Sequence, residues 1–336
     1  MSVSRVCAPQ LLINYGLLML PRFIILGAGR PFNGEQHVAL RLANGNSRVL
    51  DWMSESVAFL QAHMVFVGGY QFEQVKQHYC DYTYHYNSLW EKTGAACSLL
   101  SAELEPEVEH YVSYADILFR ESLVRKMEQV DADIVVAVDS FWRKRFEGRS
   151  QDDLERCEKV NLFEQTVTRM GADLDYLFAD AEYIGLARLS PLVVQRLIQQ
   201  KDYYRDYLKT ANLSQLIELL RQSGFTVKAV DVEGDWAELN EPKDLVHFIL
   251  GTKAETLHRL QSMLTHSRIE NQISFTIAEW LASEDDIVKR VQNEFQYKSL
   301  VVRSSALCED GFAHSNAGAY KSLLNVDGLS NKSLKV

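Results

Sequence analysis

The sequence predicts an α/β fold with a Rossmann-like, mixed, mostly parallel sheet and helices on both faces, and three observations carry that expectation. Short apolar runs at 23–26, 64–67 ("MVFV"), 111–114 and 134–138 ("IVVAV") are bounded by polar residues, as buried strands are. Amphipathic segments at 48–61, 71–79 and 120–129 lie between them. The first run empties into a glycine-rich turn, "FIILGAGRPFNGE" (23–35). Strands that alternate with helices pair in one direction, because each helical crossover returns the chain to the same edge of the sheet.

The opening strand enters Gly27-Ala28-Gly29. Glycines let backbone N–H groups approach a polyphosphate, and Arg30 adds a fixed charge. Phe32 stands where a dinucleotide fingerprint has its third glycine. A tight turn after a buried strand also uses glycine for steric reasons, so the turn alone names no ligand. Ligands of such sheets gather at the carboxyl ends of the strands. The candidates are therefore Gly27 to Arg30, then Gly68, Gly69 and Tyr70, then Asp116 and Asp139. From residue 190 the spacing is helical as far as Gly224, and the strand "TVKAVDV" follows. After "WAELNEPKDLVHFIL", the run "GTKAETLHRLQSMLTHSRIE" reads as a helical connector.

A length of 336 residues, 47% hydrophobic, suffices for one large core or two ordinary ones. The net charge of −10 and the absence of any basic run longer than "WRKR" (142–145) argue against nucleic acid as a partner. Five cysteines without a CxxC or a nearby paired histidine indicate neither a zinc site nor a disulfide framework, so a reduced, cytoplasmic protein is expected. The apolar "LLINYGLLML" (11–20) is too short for a membrane span and lacks a cleavage signal. Residues 1–22 read as an N-terminal extension that could contribute to a homodimer surface.

Nine segments stand in a fixed order: FIILGAGR, VLDW (49–52), FVGGY (66–70), N-x-x-W-x-x-T-G-x-x-x-S-L (87–99), YADILFR (114–120), AVDSFW (137–142), EKV (158–160), AEYIGL (181–186) and W-x-E-L-N-x-P-x-D-L (236–245). This series resembles the nucleotidyltransferases that activate sugar phosphates and phosphocholine, and over residues 23–250 it is most similar to small cytidylyltransferases of the phosphocholine type. The resemblance implies a nucleotide-diphospho-sugar transferase fold and a Mg²⁺-dependent reaction. In it, the phosphate of a small phosphorylated or phosphonate acceptor attacks the α-phosphorus of a nucleoside triphosphate, CTP in preference to UTP, and expels pyrophosphate. Gly27, Ala28, Gly29 and Arg30 would hold the triphosphate, and Gly69, Asn87, Gly94 and Ser98 would border the nucleoside. Asp116 matches the first metal ligand and Asn240 the second metal position. Lys159, with Arg30, would meet the transferred phosphate; Asp139 and Glu182 would line the acceptor pocket. Each has a plainer alternative: a helix N-cap for Asp116, a solvated surface lysine for Lys159, a strand-end carboxylate for Glu182. Trp142 and Tyr183 divide between a cation–π wall and ordinary core.

Two departures from the family weigh on activity. Its loop continues to a Lys-Pro pair, where this chain has "GEQHVALR" and only His37 or Arg41 to supply charge. Asn240 stands where an aspartate is common. Both favour an alternative: a catalytically weak or inactive nucleotide-binding or regulatory domain. A nicotinamide-dinucleotide reading needs an acidic strand end past Gly29; Asp51 is near that distance but opens a helical segment. Finally, "VVRSSALCEDGFAHSNAGAYKSLLNV" (301–326) resembles the opening of the ATP-binding domain of phosphoenolpyruvate synthase and pyruvate phosphate dikinase, in which Arg303 would meet ATP phosphates. The expected organisation is thus an extension (1–22), a nucleotidyltransferase domain (23–250), a helical connector (251–298) and a truncated second domain (299–336).

Overall fold

The computed structural model describes residues 20–31, 36–44, 47–145, 151–239, 248, 256–257, 267–275, 277–295, 299–304 and 322–334. The chain forms two compact units, Met1–Glu238 and Leu239–Val336.

In the first unit the chain lays down β1 (Arg22–Gly27), the small pair β2 (Leu42–Asn44) and β3 (Ser47–Arg48), helix α1 (Val49–Val57), β4 (His63–Gly68), α2 (Phe72–His78) and β5 (Thr83–Tyr86). Next come α3 (Ala95–Ser101), β6 (His110–Tyr114), β7 (Ile117–Phe119), α4 (Glu121–Glu128) and β8 (Ile134–Asp139). Short helices α5 (Trp142–Arg145) and α6 (Gln151–Arg156) lead to the hairpin β9 (Lys159–Phe163) and β10 (Thr166–Gly171), and then to β11 (Ala181–Leu189). The unit closes with α7 (Pro191–Gln199), α8 (Lys201–Tyr207), α9 (Leu213–Gln222), β12 (Val227–Asp231) and β13 (Trp236–Glu238).

Nine strands form one sheet in the order β5-β4-β1-β6-β11-β8-β12-β10-β9. β1 is parallel to β4 and β6, β4 to β5, and β12 to β8. β11 runs against both β6 and β8, and β10 runs against β12 and β9. The sheet is therefore mixed: seven of its nine strands point one way and β10 and β11 the other, so antiparallel pairings are at least as frequent as the parallel ones expected to dominate. Alternation along the strands sends Ile24, Leu26, Val65, Val136 and Val138 into one core with α3, α7 and α9. Phe23 stacks with Tyr111 and Phe119 instead, while α1 and α4 pack together with α4 also meeting β8. Helix starts follow their side chains: Ser190 caps α7 ahead of Pro191, and Asn212 with Gln215 makes a capping box on α9.

The apolar-run argument does not find β11, although all nine of its residues are buried. Glu182 and Arg188 interrupt its hydrophobicity, and burial of Arg188 is made tolerable by the carbonyls of Glu128 and Val130 and an ion pair with Glu109 at 3.5 Å. Gly185 interrupts the geometry. Its φ is +91°, the ladder to β8 slips between Tyr183 and Ala187, and a Cβ there would lie 2.3 Å from Tyr114 Cδ2.

In the second unit a helix, Ile277–Phe295, is followed by antiparallel strands Ser299–Arg303 and Ser322–Asp327 and a turn of helix at Asn331–Leu334. The Gln292 amide ties the long helix to Leu329 and Asn331 at 3.2 and 2.8 Å. The connector expected at 251–298 is helical in this segment, without a regular element at 267–275. Among the described residues no helix is long and apolar enough to cross a membrane.

Gly185→Ala tests the close approach of β11 and Tyr114. With both a forbidden φ and an overlapping ring, it is expected to cost about 3 kcal/mol in urea unfolding, at the upper end of ordinary overpacking.

Candidate functional site

The glycine-rich turn is built by its neighbours. The Tyr70 N–H donates to the Ala28 carbonyl at 2.9 Å, and the Tyr70 ring lies under the Arg30 guanidinium at 5.6 Å. Gly69 is required here: a Cβ would fall 2.4 Å from Trp90 and 2.7 Å from the Ala28 oxygen. Around Gly29, by contrast, no described atom stands within 4 Å of where a Cβ would be. The turn is therefore anchored at Ala28 and open at Gly29. His37, raised as a substitute for the missing lysine, is fully buried, donates from Nε2 to the Gly27 carbonyl at 2.7 Å and accepts from Ala39 at Nδ1. Burial holds its pKa below the ordinary histidine value. It is a neutral support beneath the turn, not a replacement cation.

Asn87, Gly94 and Ser98, expected beside the nucleoside, do come together. The Asn87 amide donates to Thr93 Oγ1 at 2.9 Å and Ser98 Oγ at 3.1 Å, and Gly94 begins α3 with its N–H on the Lys209 carbonyl. Asn87 and Ser98 are buried by these bonds. Asp51 sits in the first turn of α1, bonded to the Arg48 N–H and the Tyr79 hydroxyl, so the acidic strand end of a dinucleotide site is not formed there.

Asp116 occupies the turn between β6 and β7, and α4 starts five residues later at Glu121, so it is not that helix's N-cap. β7 pairs with β13 in the register Ile117↔Glu238, which brings the Glu238 carboxylate beside Asp116. Burial first, then the charge of Glu238 and more weakly that of Glu158, push the Asp116 carboxyl up to about 7. Arg41, the other residue raised as a substitute for the missing lysine, acts in the opposite sense, its charge reaching Asp116. Burial first, and the charge of Glu238 second, disfavour the ionised form of Asp116; once ionised, the two carboxylates offer a hard-oxygen pair able to take a divalent cation, since Mg²⁺ commonly uses one or two carboxylates and completes its shell with water and phosphate. No cluster of three or more His, Cys, Asp or Glu suited to a metal occurs among the described residues. The sequence reading missed Glu238. Its signal was the W-A-E alternation, which puts Trp236 and Glu238 on one face of a short strand; Asn240 lies outside the described residues.

Asp139, Glu182 and Lys159 stand in one row across β8, β11 and β9, in the registers Glu182↔Asp139 and Glu182↔Lys159. All three are nearly inaccessible, at 1, 5 and 1% exposure. Asp139 spends Oδ1 on the Phe141 N–H at 2.9 Å and Oδ2 on the Trp236 indole N–H at 2.8 Å, which fastens β13 to the sheet. The Lys159 ammonium donates to the carbonyls of Leu154, Glu155 and Cys157 at 3.2, 2.8 and 3.1 Å. It is neither a solvated surface lysine nor directed at open space; it caps the end of α6. Trp142 is fully buried against Ala179, and Tyr183 packs edge-on to Tyr114 at 6.4 Å. Both are core, and neither forms an exposed aromatic wall.

The turn, the Asn87–Gly94–Ser98 cluster and Asp116 thus follow strand ends at the carboxyl edge of one mixed sheet, with Glu238 on the separate β7–β13 pair. The inositol-1-phosphate CTP transferase from T. maritima is similar in fold, with a TM-score of 0.52 at 18% identity, covering 70% of this chain and 98% of that one. The fold is that of a nucleotidyltransferase. The CTP:phosphoglutamine cytidylyltransferase of Campylobacter jejuni is similar in sequence, 23% identical over 218 residues, which is 60% of this chain and 86% of that protein. Residues 198–334 match a second family, described as pyruvate phosphate dikinase, AMP/ATP-binding domain. That match begins within α7 of the first unit and runs into the second. The resemblances to nucleotidyltransferases and to the dikinase ATP-binding domain are therefore both present in the one chain.

The raised carboxyl predicts a pH dependence of stability. The unfolded chain releases the Asp116 proton near the ordinary 3.8 and the folded chain only near 7, so the folded state binds the extra proton between those values and its stability falls as pH rises through them. Asp116→Asn cannot ionise. In EDTA it should resist urea better than wild type at pH 8, with the advantage closing as the pH is lowered to 4.

Proposed function

We propose that this chain is a Mg²⁺-dependent cytidylyltransferase that transfers CMP from CTP to the phosphate of a small phosphorylated acceptor and releases pyrophosphate. The Asp116–Glu238 pair at the carboxyl edge, next to an anchored turn that is open at Gly29, carries the reading. Both relatives are named for CTP, with phosphoglutamine and inositol 1-phosphate as the other substrates, which favours CTP and an acceptor of that size.

The attacking phosphate oxygen is already ionised, so the reaction depends on positioning and charge more than on a general base. Gly27, Ala28 and Gly29 offer backbone N–H groups to the triphosphate, and Arg30, steadied over Tyr70, offers charge. Arg41 supplies positive charge that reaches Asp116. Asp116 and Glu238 would hold the metal, which when bound neutralises charge on the reacting phosphates. Glu182, in the β8–β11–β9 row, is the residue of that row we assign to the acceptor side.

A second reading, a nucleotide-binding domain without turnover, is favoured by Lys159, whose ammonium is already taken by three carbonyls. The match of residues 198–334 to the dikinase ATP-binding domain supports reading this chain as a fusion of the two.

A thermal-shift series with CTP, UTP, ATP and NAD, each with and without Mg²⁺, separates the two, because a ligand of the folded state raises its melting temperature by mass action. The expected result is a Mg²⁺-dependent rise with CTP that Asp116→Ala and Glu238→Ala both abolish. Stabilisation by CTP that ignores the metal and both substitutions favours the non-catalytic domain. With a working acceptor, either substitution is expected to slow pyrophosphate release by roughly a hundredfold or more, the scale for removing one electrostatic group from a reacting centre.

A further inference from the structure

Glu158 is a half-buried carboxylate to which no role is assigned above. Burial holds its pKa above the ordinary glutamate value. Both of its oxygens are occupied by protein. Oε1 accepts from the Tyr114 hydroxyl at 2.7 Å, and Oε2 accepts from the Ser214 N–H at 3.0 Å, in the first turn of α9. The Tyr114 hydroxyl in turn accepts from the Leu213 N–H at 3.1 Å. A carboxylate at a helix N-terminus is favourably placed, but Asn212 and Gln215 already cap α9, so capping alone does not explain a carboxylate bonded at both oxygens here.

What the arrangement does is fasten Tyr114. Its hydroxyl is held from two sides, and its ring fills the space that only a glycine at 185 leaves open. Tyr114 is the last residue of β6, and Asp116 follows two residues later in the turn. The main chain of Glu158 reaches the other way: its carbonyl accepts from the Tyr183 N–H at 2.7 Å, and the next residue, Lys159, pairs with Glu182. Glu238 is set independently, by the pairing of β13 with β7.

We propose that Glu158 and Tyr114 are positioning residues, a strut that fixes the Asp116 carboxylate relative to Glu238 and to the β9–β11 edge, so that the metal pair is preformed. The role rests on the cytidylyltransferase reading. Because both Glu158 oxygens are bound within the protein, it acts through Tyr114 and not by touching substrate. Outer-shell groups of this kind tune metal affinity by one to two orders of magnitude.

The test is a Mg²⁺ titration of the CTP-dependent thermal shift in wild type, Tyr114→Phe, Glu158→Ala and Glu158→Gln. Tyr114→Phe keeps the ring against Gly185 and loses only the hydroxyl. Glu158→Gln can still accept from Ser214 and donate to the tyrosine oxygen. The expected result is a Mg²⁺ midpoint raised about tenfold in Tyr114→Phe and Glu158→Ala, with partial recovery in Glu158→Gln. A lower melting temperature with an unchanged Mg²⁺ midpoint would reduce the strut to a fold support and overturn the proposal. A midpoint that moves in Glu158→Ala but not in Tyr114→Phe would also overturn it, in favour of direct contact by Glu158. If wild type itself shows no Mg²⁺-dependent response to CTP, the cytidylyltransferase reading fails and the strut with it; a wild-type response matched by all three variants defeats the strut alone.

Discussion

The rest of the site depends on one electrostatic conflict, the charge of Glu238 at the end of β13 acting on an Asp116 carboxyl that burial already disfavours as an ion. Burial and the charge of Glu238 push the Asp116 carboxyl up to about 7, and the charge of Arg41 acts in the opposite sense. The conflict is built by main-chain pairing, since β7 and β13 share a ladder and their register fixes the distance. A divalent cation turns the same repulsion into attraction. The pair is thus a feature that makes little sense as packing and good sense as a place for positive charge.

Around that pair, polar groups that look available in the sequence prove to be spent on architecture. Asp139 anchors the Trp236 indole, Lys159 gathers three carbonyls, and His37 props Gly27. Each is buried, and a buried polar group must find its partners within the fold. What these residues hold in place are the segments that carry the site: β13 with Glu238, the start of β9, and the glycine-rich turn.

The two similarities in one chain share a boundary region. α8, α9 and β12 pack into the sheet of the first unit, yet they also fall within the stretch matched to the dikinase ATP-binding family. Through Glu158 the first turn of α9 is bonded to the residue that ends β6. The segment common to both similarities therefore touches the structure next to Asp116.

Much of the fold was legible in the sequence because buried parallel strands are short uninterrupted apolar runs, and β1, β4, β6 and β8 fall where "FIIL", "MVFV", "YVSY" and "IVVAV" predict them. The turn at Gly27–Gly29 and the placing of Asp116 after a strand followed from the same periodicity. β11 did not, since its charges and its positive-φ glycine break the pattern that marks a strand. Nor did the fate of Lys159 or the partnership of Glu238 with Asp116, separated by more than a hundred residues of chain. The sequence by itself determined which segments must be buried and at which edge polar residues would collect, because hydrophobic periodicity is a local property. Only the tertiary structure decided which of those residues face each other and which are consumed in holding the edge together, because strand register and hydrogen-bond partners are settled between segments and not within them.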